Sequence, residues 1–159
     1  MKIGVISDTH IPVMCDKLPG ALKKHFKDVD MIIHAGDIVD QGCIDKLYDY
    51  CDNIIAVCGN MDCAQLQGTL PTKKIIKAGK FTIGITHGWG PAHGITDRIC
   101  NEFKDVDIII FGHTHKAMNE MKKNVLFFNP GSATCMLSEH RSIGIIELNG
   151  KINSKIIEI

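Results

Sequence analysis

Short apolar runs alternate with amphipathic segments through the first 60 residues of the chain. Residues 2–7, 30–35 and 53–58 are apolar runs bounded by polar or glycine-containing segments, which is typical of buried parallel strands. After the first run, one helical stripe is formed by Leu18, Ala21, Leu22, His25 and Phe26. After the second run, residues recur at the spacing of one helix face, and Asp40 is the predicted N-cap of this helix. The spaced residues are Ile44, Leu47, Tyr48 and Cys51. This β-α-β-α-β order predicts a parallel sheet with right-handed crossovers.

The second half of the chain has the pattern of hairpins. Residues 73–78 and 81–86 flank Gly79-Lys80, and residues 142–148 and 151–159 flank Asn149-Gly150, which predicts a type I′ turn. Residues 107–111, 116–120 and 125–129 are predicted as further strands, and a third helix is indicated by Ile95, Ile99 and Phe103. Parallel units followed by hairpins predict two packed sheets with helices outside.

Composition limits the class of protein without identifying it. A length of 159 residues predicts a single domain covering residues 1–159. Lysine plus arginine total 18 and aspartate plus glutamate total 18, so the formal net charge is zero. This balance argues against binding nucleic acid by bulk electrostatics, and no stretch approaches the ~20 apolar residues of a membrane span. Because the first residues resemble a strand and not a signal peptide, we expect a cytoplasmic protein.

Cysteine and histidine are both abundant, with seven and eight residues respectively. The cysteine count is odd, the spacings are scattered and no Cys-x-x-Cys occurs, so neither a disulfide framework nor a zinc ribbon is indicated. We interpret the cysteines as reduced, buried side chains in a reducing compartment. The histidines differ, because four of them directly follow predicted strands.

Side chains that ligate metals follow five of the predicted strands. They are Asp8 with His10, Asp37, Asn60, His87, and His113 with His115. The carboxyl ends of parallel strands form one edge of an open sheet, which brings these groups together. Each of them alone has an ordinary explanation as a capping, turn or hydrogen-bonded residue. Because they follow five strands, the sequence predicts a metal site at this edge, with His34 as a candidate for orienting a ligand.

The number of ligands predicts two metal ions. Zinc takes about four protein ligands, whereas the seven candidates suit two ions that share a bridging carboxylate. Mixed imidazole, carboxylate and amide groups favour Mn, Fe, Co, Ni or Zn over Ca or Mg. Two ions about 3.5–4 Å apart clamp both oxygens of a phosphoryl displacement. We therefore expect two divalent transition-metal ions per chain, with manganese ahead of the others, and a reaction at phosphorus.

The same motifs occur in chain order in a known family. The chain resembles the calcineurin-like metallophosphoesterases, above all their small prokaryotic phosphodiesterase branch, in Asp8-x-His10, Gly36-Asp37, Gly59-Asn60-x-Asp62, His87-Gly88, Gly112-His113-x-His115 and Asn129-Pro130-Gly131-Ser132. The resemblance implies an α/β (α+β) fold, a four-layer α-β-β-α sandwich of two mixed sheets. It further implies one ion held by Asp8, His10, Asp37 and His115, and another, bridged by Asp37, held with Asn60, His87 and His113.

One position departs from much of that superfamily. Many members carry a histidine after the asparagine, thought to assist the leaving group, but this chain has Met61 followed by Asp62. The small branch shares this Asn-x-Asp pattern. Methionine has no proton to donate, which leaves three roles open for Asp62: it supplies the acid, orients Asn60, or does neither. Without a strong acid, we expect esters with good leaving groups to react most easily.

The leading hypothesis is a metal-dependent phosphodiesterase. Hydroxide formed from water between the two ions attacks phosphorus, while the ions and Asn60 neutralise the equatorial oxygens. A phosphomonoesterase or nuclease with the same site stays open, as does a protein-interaction scaffold, since the branch resembles a eukaryotic scaffold of membrane-trafficking coats. We expect a small phosphodiester substrate, no stable nucleic-acid partner and no membrane, with a homo-dimer or homo-tetramer as the candidate assembly.

Overall fold

Two five-stranded β-sheets and four helices make up residues 1–134 and 140–159, the part of the chain that the computed structural model describes. The strands are β1 (Lys2–Ile6), β2 (Met31–His34), β3 (Ile54–Ala56), β4 (Lys73–Ala78), β5 (Phe81–Thr86), β6 (Ile108–Ile110), β7 (Met118–Lys122), β8 (Val125–Asn129), β9 (Ser142–Leu148) and β10 (Ile152–Glu158). The helices are α1 (Leu22–His25), α2 (Gln41–Leu47), α3 (Ala64–Thr69) and α4 (Ile95–Cys100).

Both sheets mix parallel and antiparallel strands. The first has the order β10-β9-β1-β2-β3 and the second has the order β4-β5-β6-β8-β7. Strands β1, β2 and β3 are parallel, as are β5, β6 and β8. Strand β9 pairs antiparallel with β1 and β10, β4 with β5, and β7 with β8. The prediction of two mixed sheets is confirmed, and each sheet presents the carboxyl ends of three parallel strands at one edge.

Alternate side chains of the strands face different cores. Val5 of β1 and Ile110 of β6 lie in the core between the two sheets. Their neighbours point the other way, Ile6 into a core shared with α1 and α2, and Ile109 into a core shared with α4. The layers therefore run helix, sheet, sheet, helix, which confirms the predicted α-β-β-α sandwich.

Two predicted hairpin features differ from the structure. The strand predicted at residues 116–120 lies at Met118–Lys122, because Lys123 and Asn124 form its turn with φ of 49° and 66°. The loop after β9 contains three residues, since Leu148 pairs with Ile152, and Gly150 has a φ of 85°. The predicted two-residue type I′ turn at this position is therefore wrong.

The helices are shorter than the apolar stripes predicted. Asp40 caps α2 as predicted, accepting a hydrogen bond from Gly42 N at 2.8 Å, but the helix ends at Leu47 and leaves Tyr48 51% exposed. Helix α1 is only four residues long. Helix α3 was not predicted, because its six residues bury a single apolar side chain and show no periodic stripe.

The cysteines agree only in part with the interpretation as reduced, buried side chains. In the described segments Cys43 and Cys58 are buried, but the other four are partly exposed: Cys15, Cys51, Cys63 and Cys100. All six in the described segments are free, and burial raises the pKa of the Cys43 and Cys58 thiols to about 11. Cys135 lies outside the described residues. Within those segments, no helix combines the length and apolar character needed to cross a bilayer.

Candidate metal centre

The predicted ligands lie at the ends of parallel strands in both sheets. From the first sheet come Asp8 and His10 after β1, Asp37 after β2, and Asn60 after β3. From the second come His87 after β5, and His113 and His115 after β6. Asp8, His10, Asp37 and His87 are buried, whereas Asn60 is exposed at the rim. The centre is therefore assembled only when the two sheets pack against each other.

Four of these residues form a compact cluster. Ligand atoms of Asp8, His10, Asp37 and His115 all lie within 4.8 Å of one another. His115 Nε2 lies 3.3 Å from Asp8 Oδ1, and His10 Nε2 lies 3.6 Å from Asp37 Oδ2. The Nε2 atoms of the two histidines are 3.2 Å apart. Two imidazoles and two carboxylates directed at one small volume suit a divalent transition metal.

The other three predicted ligands form a second group beside Asp37. His87 Nε2 lies 3.3 Å from Asp37 Oδ2, the same oxygen that approaches His10. His113 Nδ1 lies 3.1 Å from Asn60 Oδ1, and the His87 and His113 rings are 5.2 Å apart at their centroids. The seven residues thus fall into two adjacent groups with Asp37 between them, an arrangement that suits two ions sharing one carboxylate.

His87 is the clearest sign that these residues fit a metal. Its Nδ1 donates a hydrogen bond to the carbonyl oxygen of Ala35 at 2.7 Å, which leaves a lone pair on Nε2. Among the described residues, this Nε2 is the one buried side-chain nitrogen or oxygen without a hydrogen-bond partner. Burial lowers the pKa of His87, but the neighbouring carboxylates of Asp37 and Asp8 raise it above its ordinary value, so a positive charge at Nε2, from a proton or a metal ion, is favoured beside them. Because buried polar atoms are rarely unpaired, a metal ion is the natural partner for this nitrogen.

The charges in the site suit metal ligation. Burial alone would raise the pKa of Asp37, but the neighbouring His87, the Met61 N–H and His10 lower it below its ordinary value. Burial lowers the pKa of His10, and the carboxylates of Asp37 and Asp8 offset this only in part. At neutral pH, Asp37 is therefore ionised and His10 is neutral, which are the protonation states that bind metal.

Five ligands have backbone conformations that most residues avoid. Asp8, His10, Asp37, His113 and His115 all have positive φ, between 45° and 70°. Such conformations cost about 1–3 kcal/mol each and persist where surrounding contacts hold them, often at functional sites. At Asp8, for example, the carbonyl oxygen accepts a hydrogen bond from the hydroxyl of Ser132 at 2.8 Å. The Asn129-Pro130-Gly131-Ser132 motif thus supports the first ligand loop.

Asp62 connects two ligand loops through their backbones. It is buried, and its carboxylate accepts hydrogen bonds from Ile38 N at 2.5 Å, Val39 N at 2.6 Å and Gly59 N at 2.6 Å. These contacts join the loop after β2 to the loop after β3. Of the roles left open for Asp62, the contacts favour orienting the loop that carries Asn60, since both of its carboxylate oxygens already accept hydrogen bonds from backbone amides.

His34 supports the ligand loops from beneath. Its Nδ1 accepts a hydrogen bond from Gly36 N at 3.2 Å, so its Nε2–H donates to Thr9 Oγ1 at 3.1 Å. The side chain is fully buried, and burial lowers its pKa to about 4. Neutral His34 therefore spans the loops after β1 and β2, as expected for a residue that orients ligands.

The sequence patterns did not predict several contacts that orient the candidate ligands. The Ser7 hydroxyl donates to Asp8 Oδ2, and the Met61 amide donates to Asp37 Oδ1 at 2.7 Å. His113 Nε2 donates to the carbonyl oxygen of Gly90 at 2.9 Å. Two of these three contacts use backbone atoms, which carry no residue-type signal. Ser7 could have been noticed only because it directly precedes Asp8.

Glycine at two positions permits close approach to ligands. A Cβ on Gly59 would collide with the backbone nitrogen and the carboxylate of Asp37. A Cβ on Gly36, whose φ is 91°, would lie 2.7 Å from His87 Nδ1. Glycine is therefore required at these two positions because a side chain would have no room beside the candidate ligands.

The chain is similar in sequence to known proteins over nearly its whole length. Residues 1–151 match the model of the calcineurin-like phosphoesterase superfamily domain. The chain is 36% identical over 162 positions to a probable metallophosphoesterase of Methanocaldococcus jannaschii, covering 100% of this chain and 82% of that protein. It is 31% identical over 172 positions to a phosphodiesterase of the same organism, covering 99% of each.

A solved structure shows the same architecture. Vps29 of Entamoeba histolytica in complex with Zn²⁺ superposes with a TM-score of 0.77 at 26% identity, covering 99% of each chain. The family model covers residues 1–151, nearly the whole sequence. The chain therefore belongs to the calcineurin-like phosphoesterase superfamily.

Proposed function

We propose that the protein is a phosphodiesterase that uses two divalent metal ions. The observation that carries the proposal is the pair of ligand groups that share Asp37, with the unpartnered Nε2 of His87 between the sheets. The ions would be held by Asp8, His10, Asp37, Asn60, His87, His113 and His115. When bound, they would supply a water of lowered pKa and positive charge for the phosphoryl oxygens. Similarity to a phosphodiesterase supports the choice of diesters.

The residues of the chain position the reacting ester but offer it little acid catalysis. Asn60 is exposed at the rim, where its amide can hold a phosphoryl oxygen. Met61 beside it is 53% exposed and has no proton to donate, while the carboxylate of Asp62 is occupied by backbone amides. The leaving group therefore departs without a proton from either residue.

Manganese is the proposed metal, with Ni, Fe, Co or Zn as alternatives that suit the same donor types. A cytoplasmic location, a homo-dimer or homo-tetramer, and no stable nucleic-acid or membrane partner stay predictions. A protein-interaction scaffold is the second candidate function, favoured by the likeness to Vps29 and by the exposed apolar side chains of Val13 and Met61 near the ligand loops.

Matched aryl esters test the proposed reaction. With Mn²⁺ supplied, we expect bis(p-nitrophenyl) phosphate to be hydrolysed with a kcat/KM at least about tenfold higher than p-nitrophenyl phosphate, because the two share a leaving group and differ in the second ester. Release of p-nitrophenol measures both rates, and chelation should abolish them. A preference for the monoester would make the protein a phosphomonoesterase. Turnover of neither ester by a chain loaded with two ions would favour the scaffold.

Met61→His should add the missing acid. We expect kcat/KM for a diester with an alkyl leaving group to rise by about tenfold or more, because general acid catalysis contributes about 10²–10⁴-fold and matters most for basic leaving groups. The value for the p-nitrophenyl diester should change little. Met61→Gln, similar in size but without an acidic proton, is the control. An equal change in kcat/KM for both diesters would contradict the inference that the leaving group departs without a proton in the wild-type protein.

A further inference from the structure

A cleft of about 550 Å³ extends from the second ligand group. Its lining includes Asn60 and His87 of the metal centre, and beyond them Lys73, Trp89 and Glu102. The volume lies within the range of about 300–1,000 Å³ typical of small-molecule sites. The cleft therefore has room for a group attached to the reacting phosphorus, and it combines a cation with an aromatic ring.

Trp89 is exposed and yet held in place. It is the single tryptophan of the chain and is 56% exposed. Its Nε1 donates to Glu102 Oε1 at 2.9 Å, and the Arg98 guanidinium carbon lies 5.4 Å from the ring centroid. Arg98 also donates to the Trp89 carbonyl oxygen at 3.1 Å. A ring that is already fixed loses little conformational entropy when a ligand stacks on it.

The loop that carries Trp89 is tied to the metal centre. It starts at His87, and the carbonyl oxygen of Gly90 accepts the hydrogen bond from His113 Nε2. Gly88 and Gly90 have φ of 89° and 76°, so the chain turns on both sides of Trp89 in conformations that glycine adopts readily. The position of the indole is therefore set relative to two candidate ligands.

We propose that Trp89 is a stacking platform that selects phosphodiesters carrying a planar aromatic group, such as a nucleobase, beside the reacting phosphorus. Lys73 places a positive charge in the same cleft and attracts the anionic ester. Aromatic groups gain stacking on the indole, whereas alkyl groups do not. The inference rests on the proposed function for the reaction, but the stacking step can be measured without turnover.

The fluorescence of the single tryptophan reports ligand contact directly. The wild-type protein is titrated with adenosine 5′-monophosphate, phenyl phosphate and methyl phosphate, and we expect saturable quenching by the first two but not by the third. By calorimetry, Trp89→Ala should weaken binding of the two aromatic phosphates roughly 5- to 100-fold and leave methyl phosphate unchanged. Trp89→Phe keeps a flat ring and should restore most of the affinity. The control variant Tyr48→Ala removes an exposed aromatic side chain next to α2 and should not change the affinity for any of the three phosphates.

The outcomes separate stacking from catalysis. Tighter binding of the adenosine phosphate than of phenyl phosphate supports a nucleotide substrate, and similar binding supports any aryl ester on the same platform. No quenching by either aromatic ligand, or an equal loss of methyl phosphate binding in Trp89→Ala, overturns the inference. Quenching without diester hydrolysis would support the stacking role of Trp89 and contradict the proposed phosphodiesterase reaction. Diester hydrolysis without quenching would support the reaction and contradict the stacking role.

Discussion

Asp37→Asn should lower kcat/KM for bis(p-nitrophenyl) phosphate by about 10³-fold or more, since metal ions supply several kcal/mol of charge stabilisation to the transition state. The Oδ2 atom of Asp37 lies 3.6 Å from His10 Nε2 and 3.3 Å from His87 Nε2, and thus belongs to both ligand groups. Asparagine has nearly the same shape but no charge and one oxygen. It can still accept the Met61 amide, but it cannot also bridge two ions.

Metal analysis distinguishes loss of the bridge from loss of the fold. The wild-type chain should hold two ions at saturation, and Asp37→Asn should hold at most one. Asp40→Asn is the matched control, because this exposed residue on the same loop caps α2 and asparagine is an equally good cap. Normal diester turnover by Asp37→Asn, or fewer than two ions in the wild type, would contradict the shared-carboxylate centre.

Asp62→Ala should destabilise the protein by roughly 3 kcal/mol or more and remove most activity. Three backbone amides, those of Ile38, Val39 and Gly59, lose their acceptor, and an unsatisfied buried donor costs about 1–3 kcal/mol. The loops that carry Asp37 and Asn60 then lose the link between them. Denaturant unfolding measures the stability, and hydrolysis of the aryl diester measures the activity.

Asp62→Asn separates positioning from acid catalysis without so large a loss of stability. If Asp62 positions the loops, the variant should lose activity on aryl and alkyl diesters to the same extent, and its affinity for metal should fall. If Asp62 is a general acid, its loss should instead slow hydrolysis mainly of the alkyl diester. A stable variant with normal metal affinity and a selective loss on the alkyl ester would show that Asp62 donates a proton.

The positions of the candidate ligands in the fold were easier to predict from the sequence than the helices were. Parallel strands direct their carboxyl ends to one edge, so residues that follow buried strands meet regardless of what connects them. This placed Asp8, Asp37 and His87 correctly at the ends of β1, β2 and β5. Helix α3 lacks a periodic apolar stripe, and α2 ends before its predicted stripe does, because tertiary contacts decide where such short helices stop.

The residues that orient the ligands could not be predicted, since their contacts join distant parts of the chain. Asp62 binds the amide of Ile38, 24 positions earlier, and no local pattern marks that pair. In the sequence, Trp89 is an isolated aromatic residue after His87-Gly88, and no pattern marks it as functional. Its fixed position depends on Arg98 and Glu102, which belong to the region of α4.

Because the candidate ligands are divided between the two sheets, metal binding at the proposed centre would stabilise the whole sandwich. Asp8 and Asp37 come from one sheet and His87 and His113 from the other, so a partly folded chain has no complete centre. An ion that binds only the assembled state adds its binding free energy to folding in proportion to the logarithm of its concentration. The proposed metal centre would thus act as a reversible cross-link between the two sheets, and the metal supply around the protein would contribute to how firmly they are joined.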